Sequence, residues 1–350
     1  MTKQAKFVFN VLLVLLLFIF VTGCDAIQKK DKGEPTDFRR GEAGLEMEFL
    51  SNYPGSSYII SDDEEPISVV IEVKNKGTYP GVGITTEKTD FDTGNIYISG
   101  FDNEIIVVPQ KTKSLSDLAG LSAASPINPL GGIDTAEFEG KIIANKITID
   151  EYTPTILATT CYPYMTKASP TVCVDPDPFD KRQEKVCQIG SQILETQGAP
   201  VAVTKIEQEA STDKIQFKIH VENVGGGDVI NSSSGALARC SPLGGGLLGR
   251  KDFDRVEVKS IKIGSVDLWI KKEDETVDKK NKCSPFADGS DNIIRLFNGE
   301  GFVICTLTVS KLSSSKIESA YTTPINIELK YNYRSTISKN IKISKLTTVG

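Results

Sequence analysis

The side chains with the most chemistry to offer are seven cysteines and one histidine. Six of the cysteines, Cys161, Cys173, Cys187, Cys240, Cys283 and Cys305, are spread between residues 161 and 305. An even number in an exported chain reads as a disulfide framework, with fifteen possible connectivities. They fall into two groups of three, so full pairing needs at least one bridge between the groups. A Cys161–Cys173 bridge across a hairpin is available, while Cys187 could pair with either, or reach the second half and restrain it. Zinc is disfavoured, because there is no Cys-x-x-Cys and His220 is the sole histidine. A serine or cysteine hydrolase would have to use His220 as its base. That residue lies between Ile219 and Val221 and is expected to point outward from a sheet. No Gly-x-Ser-x-Gly, His-Glu-x-x-His or phosphate-binding loop occurs. Asp175, Asp177 and Asp180 are the best calcium candidates, with a charged linker as the alternative. Asp62 to Glu65 lack the spacing of a calcium loop and read as a solvated turn. Paired acids for glycoside hydrolysis need only the right separation in space, and nothing marks such a pair. No cofactor site is expected. Asn231-Ser232-Ser233 is a glycosylation sequon in a Gly- and Ser-rich stretch.

The elements that would position these groups are announced by an internal repeat. Residues 67–77, ISVVIEVKNKG, return as residues 215–225, IQFKIHVENVG, at an offset of 215 − 67 = 148. Apolar residues alternate in both copies, the period of a strand with one buried face. The Asn-x-Gly that follows reads as a turn in which glycine supplies a positive φ. A second marker, Tyr162-Pro163-Tyr164, returns as Tyr331-Asn332-Tyr333 at an offset of 331 − 162 = 169. These tyrosines are expected to be packing residues with satisfied hydroxyls, a ligand-stacking pair being the alternative. The second copy therefore carries 169 − 148 = 21 extra residues, placed in 225–249 or 271–282. Short β-branched runs punctuated by Gly and Pro predict an all-β chain of two tandem immunoglobulin-like β-sandwiches. The expected boundaries are 45–174 and 199–350, joined by an extended linker over 175–198.

Ahead of them, Lys3 and Lys6 precede an apolar run at 7–21, too short to cross a bilayer comfortably as a helix. Val21-Thr22-Gly23-Cys24 resembles the lipobox of prokaryotic lipoproteins. That resemblance implies a signal peptide over 1–23, lipid on Cys24, a polar tether over 24–44, and the membrane as a partner.

A net charge of −6 and a pI near 5.2 argue against nucleic acid. The repeated strand with Asn-x-Gly, followed by Gly132-Ile133-Asp134 or Gly299-Glu300-Gly301 before a later strand, resembles the CARDB cell-adhesion-related domains of bacteria and archaea. The whole arrangement also resembles surface lipoproteins of small-genome archaea. Neither supplies catalytic residues. The resulting expectation is a lipid-anchored, non-catalytic surface protein serving binding, adhesion or envelope structure, with a protein or envelope polymer as partner. The alternatives are an accessory subunit of a pilus or secretion assembly and a carboxylate hydrolase.

Overall fold

Ile67, Val69, Ile71 and Val73 are buried, as are Ile215, Phe217, Ile219 and Val221, so both copies of the repeat lay one apolar face on a core. The protein is seen in a computed structural model that describes residues 39–61, 63–80, 90–180, 184–244, 246–269, 283–287, 292–308 and 319–345. Cys24 and the lipobox lie outside these residues. The first half contains β1 (Leu45–Phe49), β2 (Ser57–Ile60), β3 (Glu64–Asn75), β4 (Asn95–Ser99), β5 (Ile106–Val107), β6 (Thr112–Ser114), β7 (Ile133–Ile143), β8 (Glu151–Tyr152) and β9 (Thr155–Ala168). Then come β10 (Thr171–Val174) and β11 (Gln192–Ile193). The second half has β12 (Val201–Ala210), β13 (Lys214–Asn223), β14 (Asp228–Ile230), β15 (Arg255–Ile263), β16 (Val266–Trp269), β17 (Cys283–Ser284), β18 (Ile293–Arg295), β19 (Glu300–Thr308), β20 (Tyr321–Asn340) and β21 (Lys342–Lys345). A short helix, α1 (Ser234–Arg239), is capped by the Ser233 hydroxyl, which accepts from the Ala236 amide.

The fold is all-β, and each half has an outer sheet of its own, ordered β1-β3-β7-β5 in the first and β11-β12-β13-β19-β17 in the second. Both outer sheets share a core with one nine-stranded sheet whose main path runs β16-β15-β20-β9-β4-β6. The halves meet where β9 and β20 pair antiparallel along the whole of β9, from Thr155 opposite Asn340 to Ala168 opposite Ile327. They exchange elements as well. The carboxy-terminal β21 lies between β2 and β8 of the first half, and β10 pairs with β20. The stretch 175–198, expected as an extended linker, is tied down by the Cys173–Cys187 bridge and by β11 on the edge of β12. From Phe38 onward the chain forms one compact unit.

The β9–β20 register has a symmetry that follows from the repeat. Tyr162 pairs with Tyr333 and Tyr164 with Tyr331, with Pro163 opposite Asn332 between them. Because Tyr331 and Tyr333 are the copies of Tyr162 and Tyr164, exchanging the halves turns each of these pairs into the other and leaves Pro163 opposite Asn332. The duplicated chain thus closes on itself around a local twofold axis, the arrangement of an isologous dimer. Four tyrosine rings ring this axis with centroids 5.8–6.4 Å apart, within the range of favourable aromatic contact. All four are buried, and each hydroxyl is used. Tyr162 Oη accepts from the Leu45 amide at 3.0 Å and Tyr331 Oη from the Val201 amide at 3.1 Å. Tyr164 Oη donates to the Gly198 carbonyl at 2.6 Å, while Tyr333 Oη accepts from the Gly227 amide at 2.6 Å. Burial raises all four phenols, Tyr333 to about 12. They are packing residues and hydrogen-bonded ties between sheets.

The Asn-x-Gly marker does a different job from the one its sequence suggests. Neither Gly77 nor Gly225 has a positive φ. Asn75 and Asn223 end their strands, and their side chains hold the next loop, Asn75 Nδ2 donating to the Tyr79 carbonyl and Asn223 Nδ2 to that of Gly227. The Asn75 and Asn223 amides donate to the carbonyls of Gly132 and Gly299, which fixes a second correspondence at 299 − 132 = 167. Nineteen of the 21 extra residues (167 − 148 = 19) therefore enter between Asn223 and Gly299. Glycine is needed at 77 and 225 because the tyrosine hydroxyls approach there. A Cβ would stand 2.0 Å from Tyr164 Oη at Gly77 and 2.6 Å from Tyr333 Oη at Gly225.

All six later cysteines are bridged. Cys161 of β9 pairs with Cys240 just after α1, joining the two groups of three. Cys173 pairs with Cys187, and Cys283 on β17 with Cys305 directly opposite on β19. Non-reducing peptide mapping should accordingly recover a Cys161–Cys240 peptide. A Cys161–Cys173 peptide in its place would mean that the halves are joined differently.

Candidate binding groove

Alternation along β13 turns Ile219 and Val221 inward, which leaves Lys218 and His220 on the outer face of the second outer sheet. Pairing with β19 sets Phe302 opposite His220. The turn before β19 has Asn298 at φ 53° and Gly299 at φ 86°, and it brings Phe297 back over the strand, its amide donating to the Glu300 carbonyl at 2.7 Å. Arg295 ends β18, and its Cζ lies 4.5 Å from the centre of the Phe297 ring. Pro285 and Phe286 form another wall, Phe286 standing edge-on to Trp269 at 6.2 Å. Together they enclose an open groove of about 580 Å³.

Its surface is mostly carbon. Phe297 is 64% exposed and Phe302 41%, so two aromatic rings of the lining are presented to solvent. The polar groups are few. Arg295 Nε is buried without a hydrogen-bond partner, and its guanidinium has no ion pair among the described residues. His220 Nε2 is 3.3 Å from Glu207 Oε1, close enough for an ion pair yet out of line for a hydrogen bond, and it has no other acceptor. Glu207 is held below the usual carboxylate range, first by its hydrogen bond from Lys205 and then by nearby Lys218 and His220. Lys218 Nζ sits 4.9 Å from the centre of the Phe302 ring, in cation–π range. Glu300 is the one carboxylate among the lining residues. The arrangement can hold an apolar group and an anion. It does not juxtapose a nucleophile with a base, nor two acids across a bond.

The residues singled out from sequence are placed as follows. His220 faces outward as expected, on this groove. Asp175, Asp177 and Asp180 do come together in one turn, where Asp175 Oδ1 accepts from the Asp177 amide and Asp177 Oδ1 from that of Asp180. The cationic position beside them is filled by Lys185, whose Nζ is 2.6 Å from Asp175 Oδ2. Among the described residues no three His, Cys, Asp or Glu side chains are grouped to hold a metal ion. Of the four acids at 62–65, Asp62 lies outside the described residues, whereas Glu64 and Glu65 belong to β3 rather than to a loop. Asn231 is half-buried. Its Nδ2 donates to Asp252 Oδ1 at 2.8 Å, so the amide nitrogen a glycan would occupy is already engaged, while its Oδ1 accepts from Ser233, the helix cap. Burial would raise the Asp252 carboxyl, but the Gly249 amide, Arg239 and Asn231 together hold it low.

Phe286, Arg295, Phe297 and Phe302 were not singled out from sequence. The one visible sign was an aromatic residue just before Asn-Gly, where turns usually carry polar residues.

No known family matches the chain, and no curated protein is similar to it in sequence. Among solved structures it is similar to a protein described as BspA_C_mut, at 10% identity over 87% of this chain and 98% of that one, with a TM-score of 0.18. It is also similar to the C-terminal domain of the Streptococcus pyogenes antigen I/II-family protein AspA, at 8% identity over 87% and 98% of the two chains, with a TM-score of 0.18. A third similarity is to the collagen binding domain of the Erysipelothrix rhusiopathiae surface protein RspB, at 9% identity over 88% and 99%, with a TM-score of 0.12. At these scores the superpositions are too loose to carry a ligand or an activity across.

Proposed function

We propose that the chain is an exported protein, fastened to the membrane by lipid on Cys24, that binds a partner at the cell surface and performs no catalysis. The observation that carries this reading is the disulfide framework. Three bridges, one of them joining the halves, belong to an oxidising compartment. The charged amino terminus, the apolar run and Val21-Thr22-Gly23-Cys24 supply the route there and the anchor. The resemblance to CARDB domains and to archaeal surface lipoproteins supports the same reading. A groove with exposed aromatic faces, and among the described residues no nucleophile set against its one histidine, fits binding better than turnover. Replacing Cys24 by Ser should move the protein from the membrane fraction to the soluble fraction of expressing cells. Unchanged detergent partitioning would instead point to a retained helical anchor.

A second reading, as a subunit of a larger surface assembly, is favoured by an asymmetry between the outer sheets. In the second half β11 covers the middle of the outer edge of β12, at Lys205 and Ile206, while among the described residues no strand pairs with the outer edge of its counterpart β1. An open edge is where a partner's strand can add.

A further inference from the structure

The groove is a feature of one half only, and this separates it from the generic architecture. The correspondences established above place Glu72 where the second half has His220 (220 − 148), Leu130 where it has Phe297 (297 − 167) and Thr135 where it has Phe302 (302 − 167). Glu72 and Thr135 indeed pair across β3 and β7 as His220 and Phe302 do across β13 and β19. The same scaffold thus folds without an imidazole or either aromatic ring at these positions. In the second half they project outward, and none of them fills the core.

We infer that this groove binds a peptide segment of a partner protein that presents a large apolar side chain next to a carboxylate. The inference rests on the surface-binding reading above and specifies what that surface recognises. The apolar side chain lies between the Phe297 and Phe302 rings, removing exposed aromatic carbon from water. The carboxylate meets the Arg295 guanidinium, whose planar donor fork suits it. Arg295 Nε is buried without a hydrogen bond, and buried polar groups of native proteins are normally satisfied. An acceptor delivered by a ligand completes it. Glu300 on the rim repels a second acid and so fixes which way the segment runs. A saccharide fits less well, since its many hydroxyls need a dense set of polar partners, and this lining offers Arg295, His220 and Glu300 amid carbon.

The test uses the full chain, immobilised and panned against a phage-displayed library of random heptapeptides. Selected peptides are then synthesised and titrated by isothermal calorimetry. Enriched sequences should carry Asp or Glu beside a large apolar residue. Arg295→Gln should weaken the best of them about tenfold or more, the scale of a lost charge-assisted hydrogen bond. Phe302→Thr, which installs the residue of the other half, should weaken it as well. Changing the peptide's acid to its amide should cost as much as Arg295→Gln, and combining the two should add little. Leu130→Ala in the other half should leave binding unchanged. Each variant alters an exposed or half-exposed side chain, and unchanged circular dichroism with three intact disulfides will verify folding. The proposal is overturned if no sequence is enriched, if the enriched sequences lack an acid, if Arg295→Gln binds equally well, or if oligogalacturonate displaces the peptide and binds more tightly. Such an outcome, with Cys24→Ser still releasing the chain from membranes, would leave the surface reading standing without this ligand.

Discussion

Expressed alone, neither the half ending at Gly190 nor the half beginning at Ser191 should yield soluble folded protein, whereas the two expressed together, joined covalently by Cys161–Cys240 with Cys173–Cys187 kept inside the first half, should co-purify as one particle. The reason is where the halves touch. Apart, each would expose a full-length edge of β9 or β20, a ladder that runs from Thr155 to Ala168 in the intact chain. Long unpaired edges recruit other strands and aggregate. The first half would also lose β21 from between β2 and β8, and the second would lose β10 from the flank of β20. Both would open the tyrosine cluster, whose rings contribute about 0.5–1.5 kcal/mol per aromatic pair beyond the area they bury. A soluble monomeric half with native-like circular dichroism would mean that the shared sheet is an accessory contact. Co-purification should survive Cys161→Ser with Cys240→Ser, because the ladder and its core hold without the covalent tie. Loss of association in that double variant would show that the bridge, and not the sheet, joins the halves.

How much of this is legible in the sequence can be seen at β9. The repeat, the all-β character and the paired Tyr-x-Tyr markers are plain, since a period of two reveals which face of a strand is buried. It does not reveal which strand lies alongside. That the two markers pair with each other depends on lateral neighbours, and tandem domains with separate cores would carry the same alternation. One trace of the shared sheet was present. Residues 158–164, Ala-Thr-Thr-Cys-Tyr-Pro-Tyr, do not alternate cleanly, and Thr159 to Tyr164 are buried without a break, as befits a central strand covered on both faces. The groove was less legible. His220 and Phe302 are 82 residues apart (302 − 220), and only the β13–β19 register brings them face to face.

The glycine of the repeated motif offers the sharpest check on the tyrosine axis. Gly77→Ala should destabilise the protein by about 3 kcal/mol, the upper end of the usual range for overpacking, and lower its melting temperature by about 5–10 °C. The new Cβ would stand 2.0 Å from Tyr164 Oη, 2.9 Å from its Cζ and 3.1 Å from the Gly198 carbonyl. Tyr164 has little room to yield. Its ring is flanked by Tyr79 at 5.4 Å and Tyr331 at 5.8 Å, and its hydroxyl is tied to Gly198 at 2.6 Å. If the missing side chain matters because of that hydroxyl, removing the oxygen should relieve part of the damage. Tyr164→Phe alone should cost about 1 kcal/mol for its hydrogen bond. In the Gly77→Ala/Tyr164→Phe double variant the loss should fall short of the sum by about 1–2 kcal/mol, the size of coupling expected between residues in contact. Relief would be partial, since the Cζ contact persists. Melting curves of the four proteins measure this directly. Strict additivity would mean that the cost of a side chain at Gly77 does not come from the Tyr164 hydroxyl.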